Sequence, residues 1–177
     1  GKFAAMYLAQ VVRTPGVHLA GIADLSPAGA RANLERVGWK AEQFGAASLD
    51  DALAKGNTHL GDDWESLVAH PQIDIIVECT GNPVVAAQHL IAIFGADKHA
   101  ISATVEADAL CGAALARAAR KAGVVYSMAF GDQPALVCDL VDWARTCGFE
   151  VAAAGRGHKW RPEFRHSTPD TIWDNWG

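Results

Sequence analysis

The chain has 177 residues, half of them apolar and a fifth charged, with a formal net charge of −5. That is the composition of a folded globular protein, with room for one ordinary domain or one domain and part of another. The acidic balance gives no electrostatic footing for a nucleic-acid partner. No apolar run nears the roughly 20 residues of a membrane span, and the longest, Val84 to Phe94, is interrupted by Gln88 and His89.

Helical and strand patterns alternate along the chain, which predicts an α/β fold around a parallel sheet. Lys2 to Arg13 reads as helix, ended by Thr14-Pro15-Gly16, and Val17 to Ala23 as a short apolar strand. Ser26-Pro27 supplies a cap and a first-turn proline for a helix to about Val37. A short helix near Asp50 to Lys55 and a stub of strand at Thr58 to Leu60 follow, and Asp62 or Asp63 caps a helix through Ala69. Ile73 to Cys79 is the clearest strand, nearly continuous in apolar residues as buried parallel strands are. Next come a helix from Pro83 to Phe94, a strand from His99 to Thr104, a helix from Glu106 to Ala122 ended by Gly123, and a strand from Val124 to Ala129. Asp132 caps a helix whose Leu136, Leu140, Ala144 and Cys147 share one stripe, and Phe149 to Ala154 is expected to form a last strand. From Gly155 onward Trp, Arg, His, Pro and Asp dominate without a period. Cys79, Cys111, Cys138 and Cys147 each fall in a predicted strand or helix and are expected to be reduced core thiols of a cytoplasmic protein.

Chemistry is suggested first at the start of the chain. Gly1-Lys2-Phe3-Ala4, then a helix, a strand and Asp24, follow the order of the back half of G-x-G-x-x-G/A. Gly1 would be the second glycine, where backbone approaches a pyrophosphate, and Ala4 the small residue that lets helix and strand pack closely. The expectation is therefore a chain that begins inside its own cofactor site, with the first strand of a doubly wound sheet missing and two ladder edges left open. Asp24 would accept from a ribose hydroxyl and repel a 2′-phosphate, favouring NAD over NADP; Arg31 softens that preference if it turns back. The alternative is a tight turn with an acid capping the next helix.

Cys79-Thr80-Gly81-Asn82-Pro83 leaves the strongest strand at the sheet's carboxyl edge, where open α/β sheets hold ligands. Gly81 permits close approach, and Thr80 and Asn82 bring hydrogen-bonding groups to the nicotinamide half. The same residues equally describe a turn with Asn82 as N-cap and Pro83 at the first helical position. In Thr104-Val105-Glu106-Ala107-Asp108, Asp108 reads as a helix cap and Glu106 as either cap or cofactor contact. Asp132 reads as an N-cap that also lies where a polar substrate would sit. In Gly155-Arg156-Gly157-His158-Lys159-Trp160-Arg161, Lys159 is placed to polarise or protonate a carbonyl oxygen, unless the segment is a solvated loop. The spacing of His158, Glu163 and His166 fits no metal motif, so no metal is expected.

Val77-Glu78-Cys79-Thr80-Gly81 resembles the turn of homoserine-dehydrogenase-type NAD-binding domains. Val105-Glu106-Ala107-Asp108, Gly131-Asp132-Gln133-Pro134 and Ala154-Gly155-Arg156-Gly157-His158-Lys159 resemble the deoxyxylulose-phosphate-reductoisomerase-like oxidoreductases, relatives that often carry a C-terminal SAF domain. The resemblance implies a Rossmann-type doubly wound parallel sheet over residues 1–130, leading into the start of a second, catalytic α/β domain over residues 131–177. It implies NAD(P)-dependent hydride transfer on a small polar metabolite, with or without a phosphate, and makes Asp132 and Lys159 substrate-site candidates. A homoserine-type dehydrogenase and a non-catalytic dinucleotide sensor are the alternatives. The expected partners are a small-molecule substrate and, for the full-length protein, further copies of itself.

Overall fold

The computed structural model describes residues 2–129, 133–155 and 161–171. It divides into two compact units, Gly1–Ala129 and Phe130–Gly177.

The first unit is an alternation of helices and parallel strands. Helix α1 (Lys2–Val11) leads to strand β1 (Gly21–Ala23) and helix α2 (Pro27–Arg36). Ser26 caps α2, its Oγ accepting from Gly29 N–H at 3.1 Å, with Pro27 in the first turn. Helix α3 (Leu49–Lys55), capped by Ser48, precedes β2 (His59–Gly61), and α4 (Trp64–Ala69) is capped by Asp63. Strand β3 (Ile75–Glu78), helix α5 (Pro83–Gly95), strand β4 (His99–Ser102), helix α6 (Val105–Ala122) and strand β5 (Tyr126–Met128) complete it. Gly123 ends α6 in the left-handed region, φ +73°, where a side chain would be strained.

Strands β1 and β2 pair in parallel, Ile22 opposite Leu60. Strands β3, β4 and β5 form a second parallel ladder, with Ile76 opposite Ala100 and Ala100 opposite Tyr126. Among the described residues β1 pairs only with β2 and β3 only with β4, so each ladder keeps an open edge. Parallel pairing sends the carboxyl ends of all strands in a ladder to one side, so their following turns gather there. The fold is α/β with parallel strands, of the Rossmann type.

Two apolar clusters hold these layers. Leu90, Ile93 and Phe94 of α5 meet Val68, Ala100, Leu115 and Ala119, with Tyr126 edge-on to Phe94 at 5.6 Å. Leu8, Val11, Leu34, Trp39 and Phe44 form the other, and the Trp39 indole donates to Leu8 O at 2.8 Å. Burial of each such large side chain contributes about 1.5–3 kcal/mol. Lys98, also buried, ties the entry of β3 to β4, its Nζ donating to His70 O at 2.7 Å and Ile73 O at 2.5 Å.

In the second unit, α7 (Gln133–Thr146) is followed by Gly148 at φ +85°. Three expectations are corrected by the described residues. Phe149 to Ala154 forms no strand: it is largely exposed and has no ladder partner among the described residues, and apolar pattern alone does not make a ladder. The α7 stripe of Leu136 and Leu140 is exposed and is not core. The thiols are free but not core either: Cys79, just past the end of β3, and Cys138 and Cys147 are exposed, and Cys111 is half-buried.

Candidate functional site

The carboxyl ends of β1, β3 and β4 carry the site. Asp24 follows β1 directly, and its N–H donates to Gly61 O at 2.9 Å, extending the β1–β2 ladder by one bond. Its Oδ1 accepts from Ser26 N–H at 2.8 Å. The helix cap is Ser26 and not Asp24, so the acid closes a tight local turn while its Oδ2 makes no hydrogen bond among the described residues. Arg31 does not turn back to this acid in the structure: its guanidinium lies over the Phe44 ring, 5.1 Å from the centroid.

The β3 turn is organised by its own polar groups. Glu78, 4% exposed, accepts from Thr80 N–H at 2.9 Å and from Thr80 Oγ1–H at 2.6 Å, both on Oε1. Gly81 adopts φ +75° and donates its N–H to Thr104 Oγ1 at 3.0 Å, joining the β3 and β4 turns. An added Cβ at Gly81 would meet nothing within 4 Å, so the turn faces open space. Asn82 Oδ1 accepts from Val84 and Val85 N–H, each at 3.1 Å, and caps α5. The capping role of Asn82 is thus realised.

Electrostatics links these turns. The Cys79 thiol is held above its ordinary range first by desolvation, then by the Glu78 carboxylate and, more weakly, by Asp24. The Tyr7 hydroxyl of α1 is likewise raised, first by burial and then by Cys79. The Cys79 thiol thus feels the charges of both Glu78 and Asp24.

Other candidates fall differently. Ala4 is half-buried in the first turn of α1, and Glu106 is exposed in the first turn of α6 without a cap bond. Asp108 is not a cap: it accepts from Tyr126 O–H at 3.0 Å, and its carboxylate lies against Gly112, beside a kink of α6 at Cys111. Burial, then that bond and the Asp108 charge, raise the Tyr126 hydroxyl far above its ordinary range. Gly1, Asp132 and Lys159 lie outside the described residues. Glu78 and Thr104 carry the polar framework yet were not singled out from the sequence; the available signal was a carboxylate at the end of the otherwise apolar Ile75-Ile76-Val77.

The donor set suits a dinucleotide. An Asp24 oxygen without a hydrogen bond among the described residues suits a ribose hydroxyl, and the open space at Gly81 suits a ligand at close range. Among the described residues, no group of three or more metal-ligating side chains occurs, and no helix is long and apolar enough to cross a membrane.

Residues 131–176 match the family described as oxidoreductase DRL, catalytic domain. A solved structure, an NAD binding oxidoreductase from Klebsiella pneumoniae, is 22% identical and superposes with a TM-score of 0.51, over 82% of this chain and 34% of that one. This likeness concerns the fold, and the chain spans about a third of that protein's length. No curated protein matches. Residues 16–128 match the model described as homoserine dehydrogenase, NAD binding domain, so the chain belongs to that family of dinucleotide-binding domains.

Proposed function

We propose that this chain is the cofactor-binding part, with the start of the substrate-binding part, of an NAD(P)-dependent oxidoreductase. The observation that carries the reading is the pair of turns past β1 and β3, which present an Asp24 oxygen without a hydrogen bond among the described residues and open space at Gly81. The two family matches, which abut near residue 130, support the same division of labour.

In this reading Gly1 and Ala4 serve the pyrophosphate and Asp24 the adenosine ribose, favouring NAD. Cys79, Thr80, Gly81 and Asn82 flank the nicotinamide half, with Glu106 at the rim. When bound, the nicotinamide supplies the hydride acceptor or donor. The chain's own residues orient it and manage charge at the reacting oxygen. Lys159 stabilises or protonates the oxyanion of a carbonyl substrate, and Asp132 orients a small polar metabolite; both lie in the segment matching a catalytic domain. The protein is in this reading a cytoplasmic reductoisomerase-like enzyme or a homoserine-type dehydrogenase.

The test is titration of the full-length protein with NADH and NADPH, followed by turnover on homoserine and a panel of small polar carbonyl compounds. NADH is expected to bind more tightly than NADPH. Lys159→Ala should lower kcat by about a hundredfold or more while leaving NADH affinity nearly unchanged, as loss of an oxyanion donor does. Failure of the parent protein to bind either nucleotide would overturn the proposal, and unchanged turnover in Lys159→Ala would remove that residue from it.

A further inference from the structure

Strand β3 runs Ile75-Ile76-Val77 and then places Glu78 in the interior. An apolar residue would suit this buried position better, and the glutamate brings a specific liability: its Oε2 is buried without a hydrogen-bond partner among the described residues. His89 of α5 does not relieve it, standing with Nδ1 3.9 Å from the other oxygen while its ring packs, tilted by 45°, against Trp64. A local rule broken at this expense is expected where function demands it.

The use of Oε1 shows what the glutamate does. Both of its bonds go to Thr80, N–H and Oγ1–H, and neither holds a helix or a ladder. Helix α5 has its own cap in Asn82, and the strand its own ladder with β4. Thr80 is exposed, so water would satisfy its donors if Glu78 were absent. The bonds therefore add little to folding and instead fix where the Thr80–Gly81 turn stands, opposite the second anchor from Gly81 N–H to Thr104 Oγ1.

We infer that Glu78 is a positioning residue for the nicotinamide dinucleotide, holding the Thr80–Gly81 turn pre-formed so that ligand binding does not have to order it. The inference rests on the proposed function and concerns a residue that does not itself touch the ligand. Preorganisation of this kind acts on affinity and leaves the fold alone.

The experiment measures NADH affinity and unfolding midpoint in the full-length protein. Glu78→Leu removes the acceptor and the unpartnered oxygen together. It should weaken NADH binding by about tenfold, while the midpoint without nucleotide stays level or rises, as when a buried polar group gives way to an apolar one. Glu78→Gln keeps an acceptor oxygen for Thr80 and should restore affinity to within about threefold of the parent. If Glu78→Leu does not fold, Glu78→Asp, shorter by one methylene, should show the same loss of affinity. Parental affinity in the folded Leu or Asp variant overturns the inference, as does a loss that Glu78→Gln does not restore. A parent protein that binds no NADH overturns the functional reading instead.

Discussion

The turn after β1 and the turn after β3 leave parallel strands at their carboxyl ends, yet they present different things to a ligand. After β1, the side chain is offered: Asp24 keeps one oxygen for its local turn and leaves the other open. After β3, Glu78 Oε1, the Thr80 hydroxyl and Asn82 Oδ1 are taken up by one another or by the α5 N-terminus, the Gly81 N–H is held by Thr104, and what is offered is room at Gly81. The first turn suits discrimination by charge and the second suits close approach. A dinucleotide needs both, a charge to tell its ribose from a phosphorylated one and a bare surface to admit its ring.

Substitutions that remove one offer at a time sharpen the contrast. The largest effect is expected at Asp24. Asp24→Asn keeps an acceptor for Ser26 N–H but loses the charge, and a hydrogen bond to a charged group is worth about 1.5–3 kcal/mol. NAD affinity should fall roughly ten- to a hundredfold, and the preference for NAD over NADP should narrow, read by competitive titration of the two nucleotides. A protein that prefers NADP before mutation breaks the charge side of the comparison.

Gly81→Ala comes next. The added methyl meets open space, but φ +75° is costly for any side chain, about 1–2 kcal/mol. The midpoint of chemical unfolding should drop by that amount. If a ligand approaches there, NADH affinity falls beyond what the unliganded fold loses; equal affinity in mutant and parent would mean that no ligand comes near the turn.

What the sequence revealed follows the same division between local and distant causes. The helix starts at Ser26-Pro27 and Asn82-Pro83 were legible because a cap and its targets lie within three residues of each other. The positions of Asp24 and Gly81 just past strand ends were legible from the apolar runs that precede them. Strand lengths were not: Val17 to Ala23 is apolar but for His18, yet only Gly21–Ala23 is in register with the three-residue β2. The anchor from Gly81 to Thr104 spans 23 residues, and the Tyr126–Asp108 bond spans 18, so no local pattern announced either. Cysteine burial failed likewise, since exposure of Cys138 and Cys147 depends on what covers α7 and not on the helix itself.

The smallest expected effect separates the two halves by acid. In the half around β1 and β2, a carboxylate stands at the start of two helices, Asp63 as the cap of α4 and Asp51 in the first turn of α3, which Ser48 caps. Asp63 is held below the usual 3.8 first by the Ser66 hydroxyl and then by Ser66 N–H. Asp51, in the first turn of α3, is held below 3.8 first by Lys55 and then by Ala47 N–H. A group whose pKa is lower folded than unfolded stabilises fully above the unfolded value, and that stabilisation is lost as pH falls through the folded value. Between neutrality and about pH 4 the two helix starts should therefore be unaffected, and below that they should fray. Helix α5 begins on Asn82, an amide without a proton to gain in this range, and should keep its protection. Hydrogen-exchange protection factors at neutral pH and near pH 3 should fall for the first turns of α3 and α4 more than for that of α5. Asp51→Asn and Asp63→Asn should flatten the response of their own helices, because an asparagine keeps an acceptor but loses the titration. Equal loss at all three helix starts, or an unchanged response in the two asparagine variants, would show that acid acts on the unit as a whole and not through these two carboxylates.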